Sequence, residues 1–166
     1  MKRLILLRHA KSSWVNPDLG DFERPLNKRG QRSAKALGKW LRQTEWLPDH
    51  VLCSTARRTR ETFERLHIDS SPELLEDLYH ASAARMLETI RTAEAETLMV
   101  IGHNPGTAQL AHSLVAVAPD HPRFADYPTG ALLVAEFDIG KWSKLASGSG
   151  RVLHFLTPHD LAESKG

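Results

Sequence analysis

Apolar and polar positions fall along this chain in blocks that read as strand, turn and helix in repeating order. The run Leu4-Ile5-Leu6-Leu7 is short, unbroken and bounded by Arg3 and by Arg8-His9, the pattern of a strand buried on both faces. Residues 12–25 are rich in Ser, Pro, Asp and Gly, too interrupted for a regular element. Asn27 then stands as an N-cap to a helix reaching about Arg42, with Ala34, Leu37, Gly38 and Leu41 at helical spacing. The other face of that helix, Lys28, Arg29, Arg32, Lys35 and Lys39, is basic and reads as a solvated surface.

The same order recurs downstream. A strand at residues 50–53 leads through Ser54 to a helix at 56–66. A short strand at 74–75 precedes a helix at 83–93, and a strong strand at 97–101 precedes a helix at 107–117. Two closing strands, 130–137 and 151–156, are joined by a turn rich in Gly and Ser. This alternation predicts a three-layer α/β/α sandwich built on a mainly parallel sheet. Residues 1–161 are expected to form a single domain and residues 162–166 a flexible C-terminal tail.

Composition narrows the function classes. The 166 residues suffice for one domain that buries about two-thirds of its unfolded surface. A formal charge of only +2 demands neither nucleic acid nor an acidic membrane as partner, so any positive site must be local. The lone Cys53 allows no internal disulfide, fits a reducing compartment and reads as a small buried residue of an apolar strand. No apolar run approaches the roughly 18 residues of a membrane span. Met1-Lys2-Arg3 leads into a short apolar segment without a cleavage-like pattern, so no signal peptide and a cytoplasmic location are expected.

The strands ending near Leu7, Cys53 and Ile101 place their following turns on the carboxyl side of a parallel sheet, where open α/β sheets build their sites. Those turns supply Arg8, His9, Arg57 or Arg58, and His103. The planar guanidinium fork suits phosphate, each charge-assisted bond contributing about 1.5–3 kcal/mol. A histidine that is neutral near pH 7 has a ring nitrogen able to attack phosphorus. Gly102-His103-Asn104-Pro105-Gly106 enters a helix whose free N–H groups favour an anion. Arg57, Arg58 and Arg60 crowd a first helical turn against the macrodipole, which also points to an anion there. The remaining histidines lack metal-ligand spacing, so no metal site is expected. Lys11 and His80 stand as secondary candidates around the pocket, and Trp14 either covers its mouth or packs under the loop.

In chain order, Arg8-His9-Ala10, the stretch Ser54-Thr55-Ala56-Arg57-Arg58-Thr59-Arg60-Glu61-Thr62 and Gly102-His103-Asn104-Pro105 resemble the histidine phosphatase, or phosphoglycerate mutase-like, superfamily. Arg24-Pro25-Leu26-Asn27-Lys28-Arg29-Gly30 is similar to that family's loop-to-helix entry, and the small size is similar to its SixA branch of phosphohistidine phosphatases. The resemblance spans nearly the whole domain and implies a phosphoglycerate mutase-like fold. It makes His9 the nucleophile that becomes phosphohistidine, with Arg8, His103 and Asn104 on the phosphoryl group. It favours Arg58 over Arg57, because Ser54 lies four residues before Arg58 and Thr62 four after. The scheme calls for no metal or other cofactor.

Many superfamily members also carry a carboxylic acid that protonates the leaving oxygen. Here Glu76 and Asp77 are candidates, and no motif selects either. Without such an acid an alkoxide leaves poorly, whereas imidazole, whose conjugate acid has a pKa of about 6.5, leaves with little help. The chain is also too short for the helical lid of larger relatives. The expected function is therefore hydrolysis of protein phosphohistidine through phospho-His9. A broad small-molecule phosphomonoesterase and a noncatalytic phosphate or phosphoprotein binder are the alternatives. The expected partner is a phosphohistidine-bearing protein or a small phosphorylated substrate, with the oligomeric state left open.

Overall fold

The computed structural model describes residues 1–164. A six-stranded sheet holds β1 (Lys2–Arg8), β2 (His50–Ser54), β3 (Glu73–Leu75), β4 (Thr97–Gly102), β5 (Leu132–Phe137) and β6 (Arg151–Leu156) in the order β3-β2-β4-β1-β5-β6. Parallel ladders join β3, β2, β4 and β1, while β5 runs antiparallel to both β1 and β6. The helices are α1 (Lys28–Gln43), α2 (Arg57–Leu66), α3 (Ala83–Arg91), α4 (Gly106–Leu114) and α5 (Pro158–Ser164), and short 3-10 turns occupy Asp21–Glu23, Glu76–Leu78 and Trp142–Lys144.

Period-two alternation along the strands divides the core. Leu4 and Leu6 face one side of the sheet with Met86, Ile90, Leu110 and Leu114 from α3 and α4. Ile5 and Leu7 face the other with Leu37, Leu41, Phe63 and Leu66 from α1 and α2. The four β1 side chains are fully buried, each contributing about 1.5–3 kcal/mol over exposure. This is the expected three-layer α/β/α arrangement, phosphoglycerate mutase-like in its fold.

Two helices are seated against the loops that will carry the site. The Asn27 side chain accepts the Gly30 N–H at 2.8 Å, a cap of about 1 kcal/mol that starts α1. A Cβ at Gly30 would lie 2.1 Å from the Lys11 carbonyl oxygen, and one at Gly106 2.1 Å from that of Ala81. Glycine is what lets the first turns of α1 and α4 press onto backbone at those points.

Some boundaries differ from expectation. The helix expected over 107–117 ends at Leu114, because Val115 bridges to Gly150 and the Ala116 N–H donates to the Gly150 carbonyl at 2.7 Å. The helix α5 takes in residues 162–164 of the expected flexible tail, while residues 165–166 lie outside the described residues. Its start was legible in Thr157-Pro158-His159-Asp160. The Thr157 N–H donates to Asp160 Oδ2 at 2.8 Å, the Asp160 N–H reaches Thr157 Oγ1 at 3.4 Å, and Pro158 occupies the first helical position. Among the described residues no helix is long and apolar enough to cross a membrane.

Candidate active site

Strand register brings the two sequence-predicted histidines together. Arg8 pairs with Gly102 across the parallel β1–β4 ladder, so His9 and His103, each one residue further on, emerge side by side. Their ring centroids are 5.4 Å apart, and both residues are buried. The neighbouring strand β2 ends on Ser54, and α2 follows at once with Arg58 in its first turn. A cleft of about 240 Å³ opens here, lined by Arg8, His9, Asp21, Arg24, Arg58 and His103, with Lys11, Trp14 and His80 also on its wall.

The Ser54 and Thr62 positions have separate jobs. Ser54 Oγ lies 2.7 Å from His103 Nε2. Thr62 Oγ1 donates to the Arg58 carbonyl at 2.7 Å and accepts the Ala10 N–H at 3.0 Å, tying α2 to the residue after His9. Each hydroxyl fixes one of the two histidine segments.

The ring tautomers follow from what the partners are able to do. His9 Nδ1 lies 2.7 Å from the Ala10 carbonyl oxygen, which only accepts, so Nδ1 carries the proton and Nε2 of the neutral ring keeps its lone pair. Arg58 Nη2 lies 3.3 Å from His103 Nδ1 and only donates, so the proton of neutral His103 sits on Nε2, directed at Ser54. Burial pushes His9 down to about 3; the Ala10 bond opposes this, and the charges of Arg8 and Arg58 add to it. Burial likewise lowers His103 to about 2, assisted by His9 and Arg58. Both rings are therefore neutral near pH 7.

Arg58 is held from behind by a residue that the sequence did not single out. Its Nη1 donates to the Asp21 carbonyl at 2.6 Å and its Nη2 to Asp21 Oδ2 at 3.0 Å. The same carboxylate oxygen accepts Tyr79 Oη at 2.5 Å and lies 2.8 Å from His80 Nε2. Partial desolvation raises the Asp21 carboxyl, but hydrogen bonds from Tyr79, His80 and Arg58 outweigh it and hold the acid well below its ordinary range. Asp21 lies in the loop that reads as too polar for structure, and no local spacing links it to Arg58, 37 positions away.

Arg24 was also missed as a site residue, although its segment carried the resemblance. Its Nη1 and the Nε of Arg8 are buried donors with no hydrogen-bond partner among the described residues. The Arg24 guanidinium stacks 3.3 Å above the exposed Trp14 ring, which settles Trp14 at the mouth of the cleft. Two unsatisfied guanidinium donors on one small cleft suit an oxyanion, since an unpaired buried donor is costly.

The other candidates divide plainly. Arg57 pairs with Glu61 at 3.2 Å and does not line the cleft. Asn104 lines it, yet its Nδ2 donates to the Asp126 and Tyr127 carbonyls at 3.0 Å and its Oδ1 accepts the Ala108 N–H at 3.2 Å. Its amide holds the loop where a phosphate contact was expected. Tyr127, at a φ of 49°, turns its carbonyl to both Asn104 Nδ2 and Arg8 Nη1, the kind of left-handed residue that sites tolerate. Glu76 and Asp77 are exposed and do not line the cleft, so His80 is the residue of that segment that reaches it. Burial pushes the Cys53 thiol up to about 12, in keeping with an inert core position.

Comparison with known proteins gives the same picture. The profile of the histidine phosphatase superfamily (branch 1) matches residues 4–79. An uncharacterised protein of Mycobacterium tuberculosis is 35% identical over 160 residues, covering 92% of this chain and 99% of that protein. A protein of Nakamurella multipartitia assigned as the phosphohistidine phosphatase SixA superposes with a TM-score of 0.83 at 28% identity, covering 95% of this chain and 96% of that one. One of Agrobacterium tumefaciens with the same assignment gives 0.78 at 26% identity, covering 95% and 98%. With an arginine–histidine strand end facing a second histidine, and relatives matched along nearly the whole length, the chain belongs to the histidine phosphatase superfamily and shares the fold of its SixA members.

Proposed function

We propose that this protein hydrolyses phosphohistidine on other proteins, taking the phosphoryl group onto His9 Nε2 and passing it to water. The observation that carries the reading is the neutral His9 ring, with Nδ1–H fixed on Ala10 and Nε2 free, set beside Arg8, Arg58 and His103. In the first step Nε2 bonds to phosphorus as the P–N bond of the substrate breaks, and the departing imidazole takes a proton from solvent. In the second, water attacks phosphorus of phospho-His9, inorganic phosphate leaves and the neutral ring is restored.

Arg8 and Arg58 neutralise the equatorial phosphoryl oxygens, and Arg24 adds a third guanidinium from the loop. His103 starts neutral. A phosphoryl dianion beside it raises its proton affinity and makes its Nδ1, which faces Arg58, a further donor.

Support for a P–N bond comes from the acids of the cleft. Asp21 is its one carboxylate among the described residues, and three donors hold it ionised, so it is poorly suited to protonate an alkoxide. Imidazole needs no such acid. The small-phosphomonoester reading draws on His80, which stands at the rim 5.2 Å from His103 and offers a proton donor to an ester oxygen. Comparing kcat/KM on a phosphohistidine peptide with that on aryl, sugar and nucleotide phosphates separates the two. The proposal expects the peptide to be favoured by at least about a hundredfold, a difference of about 2.7 kcal/mol in transition-state stabilisation. Equal or better turnover of the esters overturns it. Phosphate-dependent binding without turnover would instead make the protein a binder.

A further inference from the structure

The basic face of α1 reads in the sequence as solvated surface, but part of it borders the catalytic cleft. A second depression of about 180 Å³ is lined by Lys11, Arg29, Ser33, Arg123, Thr129 and His159, among others, and shares Lys11 and Thr129 with the catalytic cleft. A third, of about 450 Å³, shares Arg29, Ser33 and His159 with the second and extends to Arg32 and the apolar side of α5. The three adjoin through these shared walls as one trench that begins at the phosphate site. Among the described residues no carboxylate lines the second or third depression.

Three cations of this trench have no ion-pair partner among the described residues to explain them. Lys11, Arg29 and Arg32 are exposed and make no ion pair among the described residues. Arg123 is already neutralised by Asp126 at 2.8 Å, so the uncompensated charge rests on the other three. Helix stability does not account for them either. Lys28 and Arg29 stand in the first turn of α1, where the macrodipole disfavours cations, and no acidic residue of that turn offsets them. That turn is also fixed relative to the nucleophile. The Asn27 N–H donates to the Lys11 carbonyl at 3.0 Å, and the Gly30 backbone presses against the same oxygen, two residues beyond His9.

We infer that the trench receives an acidic stretch of the protein substrate flanking its phosphorylated residue, with Lys11 nearest the phosphoryl group, Arg29 next and Arg32 furthest. This rests on the reading that the substrate is a phosphoprotein. A second phosphate fits the geometry less well. The three cations follow one another along adjoining depressions instead of converging, and an open strip of long, flexible side chains matches spaced carboxylates. Such contacts act mainly on encounter and register, and weaken with salt.

The test measures kcat/KM for wild type and R29E/R32E on two phosphohistidine peptides of equal length, one flanked by Asp and Glu and the other by Gln and Ser, and on phosphoramidate. At low salt, wild type is expected to prefer the acidic peptide by about tenfold. The preference should vanish at high salt and in R29E/R32E, while phosphoramidate turnover stays unchanged. Acidic residues at the start of α1 suit its dipole, so the variant should fold. Should its Tm fall, R29Q/R32Q must show the same loss of preference. Equal turnover of the two peptides by wild type, or a preference that survives in the variants, overturns the inference and leaves the phosphohistidine reading intact. Turnover of phosphoramidate but of neither peptide overturns both.

Discussion

The Nδ1–H of His9 donates to the carbonyl oxygen of Ala10 at 2.7 Å, and this bond decides which nitrogen of the ring attacks. Nε2 alone retains a lone pair in the neutral ring. Alkaline digestion of the trapped phosphoenzyme should therefore yield the Nε2 isomer of phosphohistidine. Recovery of the Nδ1 isomer would mean that the ring turns over before it reacts.

Two neutral buried histidines also make the fold sensitive to acid. Burial lowers His9 to about 3 and His103 to about 2, whereas the unfolded chain protonates both near the ordinary value of about 6.5. Between those limits the unfolded state binds more protons, so stability falls as pH falls, by up to about 1.4 kcal/mol per pH unit for each histidine. Asp21 acts in the same direction. Its folded carboxyl lies below the unfolded value, so the stability it adds is present near neutrality and lost in acid. Urea unfolding at about pH 7 and about pH 5 should give a lower free energy at the acid value, and His103→Gln should flatten the slope. Equal stability at both would contradict the neutral pair.

Asp21→Asn tests how Arg58 is held. The variant keeps the shape of the side chain but removes the charge that Arg58, Tyr79 and His80 share. Because the Asp21 side chain is 42% exposed, the loss should sit at the low end for a charge-assisted bond, about 1.5 kcal/mol or roughly tenfold in kcat/KM. Tyr79→Phe should cost less, since Arg58 keeps both of its bonds to Asp21. Unchanged kcat/KM in Asp21→Asn would show that α2 and the Asp21 carbonyl position the arginine without the carboxylate charge.

Gly30→Ala probes the contact between α1 and the catalytic loop. Its Cβ would lie 2.1 Å from the Lys11 carbonyl oxygen, backbone that has to move, and overpacking of this kind costs about 1–3 kcal/mol. Gly20→Ala meets nothing within 4 Å and serves as the control. Thermal unfolding should show a lowered Tm for the first and little change for the second. Equal values would mean that the loop yields freely.

What the sequence made legible, and what it did not, follows from the range of the interactions. The strands β1 and β4 were readable because burial on both faces leaves an unbroken apolar run, and α1 because Asn27 marks its start. His9 and His103 were readable because both end such strands. The reversed direction of β5 was not, since the pairing of Leu132–Phe137 with β1 depends on the long connection after α4. Asp21 and Arg24 sit in a loop whose polarity masks their role, and only the tertiary fold carries them to Arg58 and Trp14. Asn104 was readable in its place on the cleft, whereas the engagement of its amide by backbone carbonyls depends on the distant Asp126 and Tyr127. The α5 start carries a local Thr-Pro-x-Asp signal within the sequence itself.

Everything in this site converges on passage of the phosphoryl group through His9. The most direct measurement mixes the enzyme with a phosphohistidine-bearing protein for a single turnover, quenches in alkali and follows label on the enzyme and in free phosphate. Wild type should show a phosphoenzyme on His9 that rises and decays as phosphate appears, and folded His9→Ala should show neither label nor release. Phosphate release by His9→Ala at the wild-type rate, or wild-type turnover with no phosphoenzyme, would contradict the account.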